Sequence, residues 1–186
     1  LIVWPFVTLT MFASARPGRA LIWSLLGGYL LLPVNTAFDF PGVPALDKTS
    51  IPNLSALIGA LIFAKRPTIQ PPRERWVLVL MLLYIVSPIF TVITNPDPLL
   101  FGSLLLPGLQ PYDAFSAFAY KAIDLIPFLL GYNLLTWARD QEYLLRAFVM
   151  AALAYSLLMF VEIRFSPQLH TWTYGFFPHS FAQQVR

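Results

Sequence analysis

Long apolar stretches separated by short polar connectors are the feature of this sequence that most limits its possible folds. A membrane-spanning helix needs about 20 predominantly apolar residues. Six segments come near that length, at 1–15, 20–38, 51–64, 76–94, 114–135 and 147–161. The sequence therefore predicts an all-α, polytopic transmembrane protein whose residues 1–161 form about six spans, followed by a polar and aromatic segment at 162–186.

The scarcity of charged side chains favours the same fold class. Charged residues make up 11% of the chain and hydrophobic residues 58%, whereas an ordinary soluble domain has about 25% charged residues. A soluble chain of this composition would expose large apolar patches, so we expect the surplus apolar surface to face lipid. The net charge of +3 is small and the basic residues are dispersed, which gives no support for nucleic-acid binding.

The prolines and the absence of cysteine further limit the kinds of helix and of chemistry that the chain can have. Several of the 17 prolines lie inside apolar segments or at their ends, which predicts kinked or broken membrane helices. Residues 99–113 are apolar but interrupted by glycine and proline, a pattern typical of a re-entrant or interfacial loop. The chain has no Cys, which excludes disulfides, thiolate nucleophiles and cysteine-based metal sites.

The distribution of basic residues predicts an orientation in the membrane. Three alternate connectors carry eight Lys and Arg residues, and the opposite side carries three. The positive-inside rule places the richer side in the cytoplasm, so residues 162–186 are expected on the outer face, which in a bacterium is the periplasm. The eight are Arg16, Arg19, Lys65, Arg66, Arg73, Arg75, Arg139 and Arg146, and the three are Lys48, Arg164 and Arg186.

The segment 162–186 holds both histidines of the chain, His170 and His179, among aromatic side chains. Arginines such as Arg164 and Arg186 bind phosphate groups bidentately, and histidine exchanges a proton near neutral pH. The segment therefore suits a loop that holds a polar headgroup at the membrane surface. The simpler interpretation is an aromatic belt with solvated histidines. Two histidines nine positions apart match no metal-ligand spacing, so no metal site is predicted.

Four short motifs in this segment point to a family. They are Glu-Ile-Arg-Phe-Ser-Pro-Gln-Leu-His at 162–170, Trp-x-Tyr-Gly at 172–175, Pro-His-Ser-Phe at 178–181 and Gln-Gln-x-Arg at 183–186. Together they resemble the periplasmic loop of the O-antigen ligase and polymerase-like glycosyltransferases of the bacterial inner membrane. The resemblance implies transfer of a glycan from an undecaprenyl-diphosphate carrier to a saccharide or lipid acceptor on the periplasmic face, without a cofactor or an essential metal.

The resemblance also implies roles for individual residues. The family's loop arginine, which opens an Arg-x-x-Gly pattern, matches Arg186, the last residue of this sequence. Arg186 and Arg164 are therefore expected to bind the diphosphate, and His170 and His179 are the candidates for the catalytic base. The base of the family lies in a later loop. Because the sequence opens at Leu1 within an apolar run, we expect an internal fragment of a longer protein.

Lys121 and Asp124 are charged residues inside a predicted span, three positions apart. Such a pair is expected to be a structural ion pair, to belong to an amphipathic stretch that lies at the membrane interface after Tyr112 and Asp113, or to be functional. The functional alternative makes Lys121 a secondary phosphate contact. Kinked helices and intramembrane charges are also typical of a transporter or lipid-linked oligosaccharide flippase. A third alternative is a non-catalytic membrane subunit that docks through its aromatic segment.

Overall fold

The structure, a computed structural model, describes residues 1–34, 36–38, 44–65, 68–102, 104–165 and 168–175. Within those ranges it is helical, with one short antiparallel hairpin. The predicted helical class is therefore confirmed in its main feature. The elements are α1 (Trp4–Ser14), α2 (Pro17–Leu31), α3 (Ser50–Phe63), α4 (Arg75–Thr94), β1 (Leu99–Phe101), β2 (Leu104–Leu106), α5 (Pro111–Asp124), α6 (Ile126–Leu134), α7 (Ala138–Phe165) and α8 (Gln168–Tyr174).

Three helical segments are long and apolar enough to cross a membrane. They are α4, the α5–α6 pair taken together as Pro111–Leu134, and α7. At 1.5 Å per residue, the 20 residues of α4 extend about 30 Å, the thickness of the hydrocarbon core. Several leucines along α4 and α7, among them Leu80, Leu83, Leu153 and Leu157, expose more than half of their surface, as side chains that face lipid do. The chain is therefore a membrane protein.

The first three helices are shorter and pack against one another. Helices α1, α2 and α3 contain 11, 15 and 14 residues, less than a straight helix needs to cross the hydrocarbon core. A prediction of six spans is therefore not confirmed. The buried core lies among these helices and α6, and it consists of Phe12, Ala20, Leu21, Ala56, Ala60 and Leu130.

Glycines allow α1, α2 and α3 to approach closely. A Cβ atom at Gly28 would lie 2.4 Å from Cγ of Pro52 in α3, and one at Gly59 would lie 2.6 Å from Cδ2 of Phe12. Trp4 also crosses from α1 to α2, where its indole Nε1 donates to the carbonyl of Ser24 at 3.2 Å. Small residues at helix contacts are typical of membrane proteins, in which close packing replaces the hydrophobic effect.

Two segments differ from their sequence predictions. Residues expected as a re-entrant or interfacial loop include the hairpin β1–β2, whose register pairs Leu99 with Leu106, and Gly102 takes a positive φ of 64° at its turn. Helix α7 is longer than the predicted segment 147–161. It begins in the charged connector because the residues there are good helix formers, and Arg146 pairs with Glu142 one turn earlier at 2.6 Å. At its other end it continues to Phe165, so residues 162–165 are helical.

Candidate functional site

The three basic connectors meet at one end of the helix bundle, which we call the basic end. Arg16 and Lys65 come from the α1–α2 and α3–α4 connectors and Arg139 from the first turn of α7, and all three border a cavity of about 720 Å³. The helices that they join therefore run alternately toward and away from this end. The positive-inside count of Lys and Arg residues assumes this alternation, because it assigns the three basic connectors to one side of the membrane.

A polar cluster lies at the other end of the bundle, which we call the polar end. The Asp47 carboxylate accepts hydrogen bonds from the backbone N–H groups of Thr49 and Ser50, at 2.9 and 2.8 Å. Its other oxygen accepts the Tyr120 hydroxyl at 2.9 Å. Asp47 thus satisfies free amides at the start of α3, as a helix cap does, and ties that helix to α5.

Hydrogen bonding determines the protonation state of Asp47. Burial raises the pKa of its carboxyl, but the hydrogen bonds from Ser50, Thr49 and Tyr120 outweigh that effect and lower the pKa from 3.8 to about 2. The carboxylate is therefore ionised at every physiological pH. With each oxygen already bonded within the protein, Asp47 serves as a structural anchor and does not exchange protons near neutral pH.

Lys121 is half-buried on α5 and contacts α4 rather than a carboxylate. Its Nζ donates to the Ser87 hydroxyl at 2.9 Å and lies 4.4 Å from the centre of the Tyr84 ring. Among the described residues the one salt bridge within 4.0 Å joins Arg146 and Glu142. Lys121 and Asp124 therefore form no direct ion pair, and Lys121 contacts Ser87 and Tyr84 of α4 instead, a geometry that the spacing of three residues did not predict.

An open cavity of about 400 Å³ lies beside Lys121 at the polar end. Tyr120 and Lys121 border it from α5, and Pro44 and Ala45 border it from the loop before α3. The cavity brings a positive charge together with tyrosine rings, and its one acid, Asp113, already accepts the backbone N–H of Gln110 at 2.7 Å. Charge and aromatic surface in one cavity suit a phosphate that is attached to a sugar or a lipid.

The segment after α7 is also at the polar end. The Tyr174 hydroxyl of α8 donates to the carbonyl of Leu31, the last residue of α2. The Trp172 ring lies 6.2 Å from the Phe165 ring. The Arg164 guanidinium lies 6.0 Å from the same Phe165 ring. The structure thus brings α8 and the Lys121 cavity to the same end of the bundle.

The side chains of three predicted site residues are not described by the structure. His170 lies within α8, where only its backbone is described. His179 and Arg186 lie in the segment 176–186, outside the described residues. Within the described ranges, no group of three His, Asp or Glu side chains is arranged to hold a metal ion.

Asp47 and Tyr120 are polar-end residues that sequence reasoning missed. A signal for Asp47 was present, because an aspartate three residues before Ser50 is typical of a helix start. Nothing in the sequence signals Tyr120, since its partner lies 73 positions away.

Comparison with known proteins adds no relative. No protein-family model matches the chain, and no curated protein or solved structure matches it either. The resemblance of residues 162–186 to the O-antigen ligase family therefore stays a prediction.

Proposed function

We propose that this chain is part of a bacterial inner-membrane glycosyltransferase of the O-antigen ligase or polymerase type. It would move a glycan from undecaprenyl diphosphate to a saccharide or lipid acceptor at the polar end. In the proposed orientation the polar end faces the periplasm and the basic end faces the cytoplasm. The observation that carries the proposal is the position of Lys121, on a cavity at the same end of the bundle as α8.

The chemistry needs positive charge and a base. The acceptor hydroxyl attacks the anomeric carbon of the glycan, the bond from that carbon to the phosphate oxygen breaks, and undecaprenyl diphosphate leaves with the bonding electrons. Fixed cations stabilise the charge that develops on the leaving diphosphate. We assign that role to Arg186 and Arg164, with Lys121 as a secondary contact. A histidine removes the acceptor proton, for which His170 and His179 are the candidates within this chain.

Lys121 suits a phosphate contact because no carboxylate neutralises it directly. Its described partners are a hydroxyl and an aromatic ring, and both leave the positive charge available to an anion. A carrier lipid held there would keep its polyprenyl chain in the bilayer, beside the exposed apolar surface of α4.

Transfer by the full-length protein in membranes tests the proposal. With a defined undecaprenyl-diphosphate-linked donor, Arg186→Ala is expected to abolish transfer and Lys121→Gln to lower it about tenfold, a typical loss for one charged contact. Lys48→Gln is the matched control, because Lys48 lies at the same end and borders none of the described cavities. Offering alternative acceptors to the same preparation separates a ligase from a polymerase.

Two outcomes would contradict this assignment. Full transfer by Arg186→Ala, with the protein present at normal level, removes the diphosphate role from Arg186. Translocation of the lipid-linked glycan across sealed vesicles without any transfer would instead identify a flippase.

A further inference from the structure

The basic-end cavity concentrates positive charge that has no salt-bridge partner among the residues that the structure describes. Arg16, Lys65 and Arg139 border it, and Asp140 is the one acid among its lining residues. None of the three cations belongs to a salt bridge within the described part of the chain, where the one bridge joins Arg146 and Glu142. The cavity therefore carries two uncompensated positive charges.

Helix termini do not account for this charge. Helices α2 and α7 begin at the cavity, whereas α3 and α6 end there. The positive ends of the first two dipoles and the negative ends of the other two offset each other. The attraction for an anion thus comes from side chains of two connectors and of the first turn of α7, which only the folded bundle brings together.

An apolar cavity of about 1050 Å³ lies directly beside the basic one, and Asn133 borders both. It lies between α2, α6 and α7, and most of its lining side chains are aliphatic or aromatic, among them Leu21, Leu25, Phe128 and Phe148. A charged cavity that adjoins an apolar groove matches a ligand with an anionic head and a hydrocarbon chain.

From this juxtaposition we propose that the basic end binds an anionic phospholipid. Arg16, Lys65 and Arg139 hold the headgroup phosphate, and an acyl chain lies in the groove between α2, α6 and α7. Basic cavities between membrane helices favour anionic headgroups on the side of the membrane that is rich in positive charge. Trp137 borders the same cavity, and tryptophan favours the headgroup level of a bilayer. This site does not depend on the transferase chemistry, which lies at the other end.

The test compares two triple variants of the full chain in nanodiscs or neutral detergent, with phosphatidylglycerol and phosphatidylcholine as probes. The cavity variant is Arg16→Gln, Lys65→Gln and Arg139→Gln. The control is Lys48→Gln, Arg75→Gln and Arg146→Gln, which removes the same charge from residues that border neither cavity. Each cation near an anionic lipid contributes about fivefold to affinity. The cavity variant is therefore expected to lose about 100-fold in affinity for phosphatidylglycerol, and the control less than about tenfold.

A separate variant tests the acyl-chain groove. Gly131 borders it, and a Cβ atom placed there would meet nothing nearer than the Leu135 methyl at 4.0 Å. Gly131→Leu therefore has room for its Cβ and adds side-chain volume at the groove, and we expect severalfold weaker binding of phosphatidylglycerol with little change in thermal stability.

Three results would overturn the proposal. The first is equal loss of affinity in the cavity variant and the control. The second is equal binding of phosphatidylglycerol and phosphatidylcholine to the wild-type chain. The third is displacement of the lipid by millimolar inorganic phosphate, which would show a site for free anions rather than for a lipid.

Discussion

The helices α1 to α3 and the long helices α4 and α7 use similarly apolar sequences in opposite ways. In α3, Ala56 and Ala60 are completely buried and small residues meet the neighbouring helices. In α4, Pro88 is the one buried residue, and α7 buries only Ala147 and Ala151. The first group packs against itself, whereas α4 contacts only α5 and α7 contacts only α2 and α8 among the described elements. Apolarity alone thus does not distinguish a helix that packs against protein from one that faces lipid.

The largest effect is expected where the packed group is tightest. Gly28→Leu places side-chain atoms where Cγ of Pro52 already lies, 2.4 Å from the new Cβ. Overpacking of this kind costs about 3 kcal/mol of unfolding free energy, or more where the backbone has to move. Unfolding in mixed micelles measures it. Gly131→Leu is the control, and an equal loss in both variants would contradict the idea that Gly28 is a packing contact.

A charge on the exposed surface of α4 tests the other side of the comparison. Leu83 is 58% exposed near the middle of that helix. If lipid surrounds it, Leu83→Arg costs about 3 kcal/mol of insertion free energy, measured by glycosylation mapping in microsomes. Leu83→Phe serves as the apolar control. Unimpaired insertion of the arginine variant would show that this surface does not face hydrocarbon.

A smaller effect is expected at Asp47, which anchors the packed group to α5. Asp47→Asn removes the charge that holds Thr49, Ser50 and Tyr120. Because the carboxylate is partly exposed and screened, we expect a loss of about 1 kcal/mol at pH 7. Asp97→Asn, at an exposed position beyond α4, is the matched control and should change little.

The same carboxylate predicts a dependence of stability on pH. Its pKa falls from 3.8 to about 2 in the folded protein, so its contribution is complete above about pH 4 and disappears as the pH falls toward 2. Between about pH 4 and pH 2 the difference in unfolding free energy between the wild-type protein and the Asp47→Asn variant should shrink toward zero. If that difference stayed constant across this range, the stabilisation by Asp47 would not come from its charge.

Much of the fold follows from the sequence, because hydropathy and helix-start signals are local properties. Each of the six apolar segments overlaps a helix. The hydropathy pattern did not predict the helix lengths correctly. Helix α7 extends across Arg139 and Glu142, since charged residues interrupt a hydropathy pattern without interrupting a helix.

Less of the candidate site was predictable, because its contacts join distant parts of the chain. Lys121 was identified as an intramembrane charge, but its contacts to Tyr84 and Ser87 depend on how α4 packs against α5. The meeting of Arg16, Lys65 and Arg139 likewise follows from the alternation of the helices. A count of basic residues predicts that they share one side of the membrane. It does not predict that they border one cavity.

The most direct test of the central claim, that α4, α5–α6 and α7 cross a membrane, is thiol labelling from one side. The chain has no Cys, so single cysteines introduced as Asp97→Cys at the polar end, Thr136→Cys at the basic end and Leu83→Cys within α4 report one position each. In sealed vesicles, a membrane-impermeant maleimide is expected to label only one of the two variants Asp97→Cys and Thr136→Cys. After the vesicles are opened, it should label both. Leu83→Cys should stay unlabelled in either case. Labelling of both ends in intact vesicles would contradict the account.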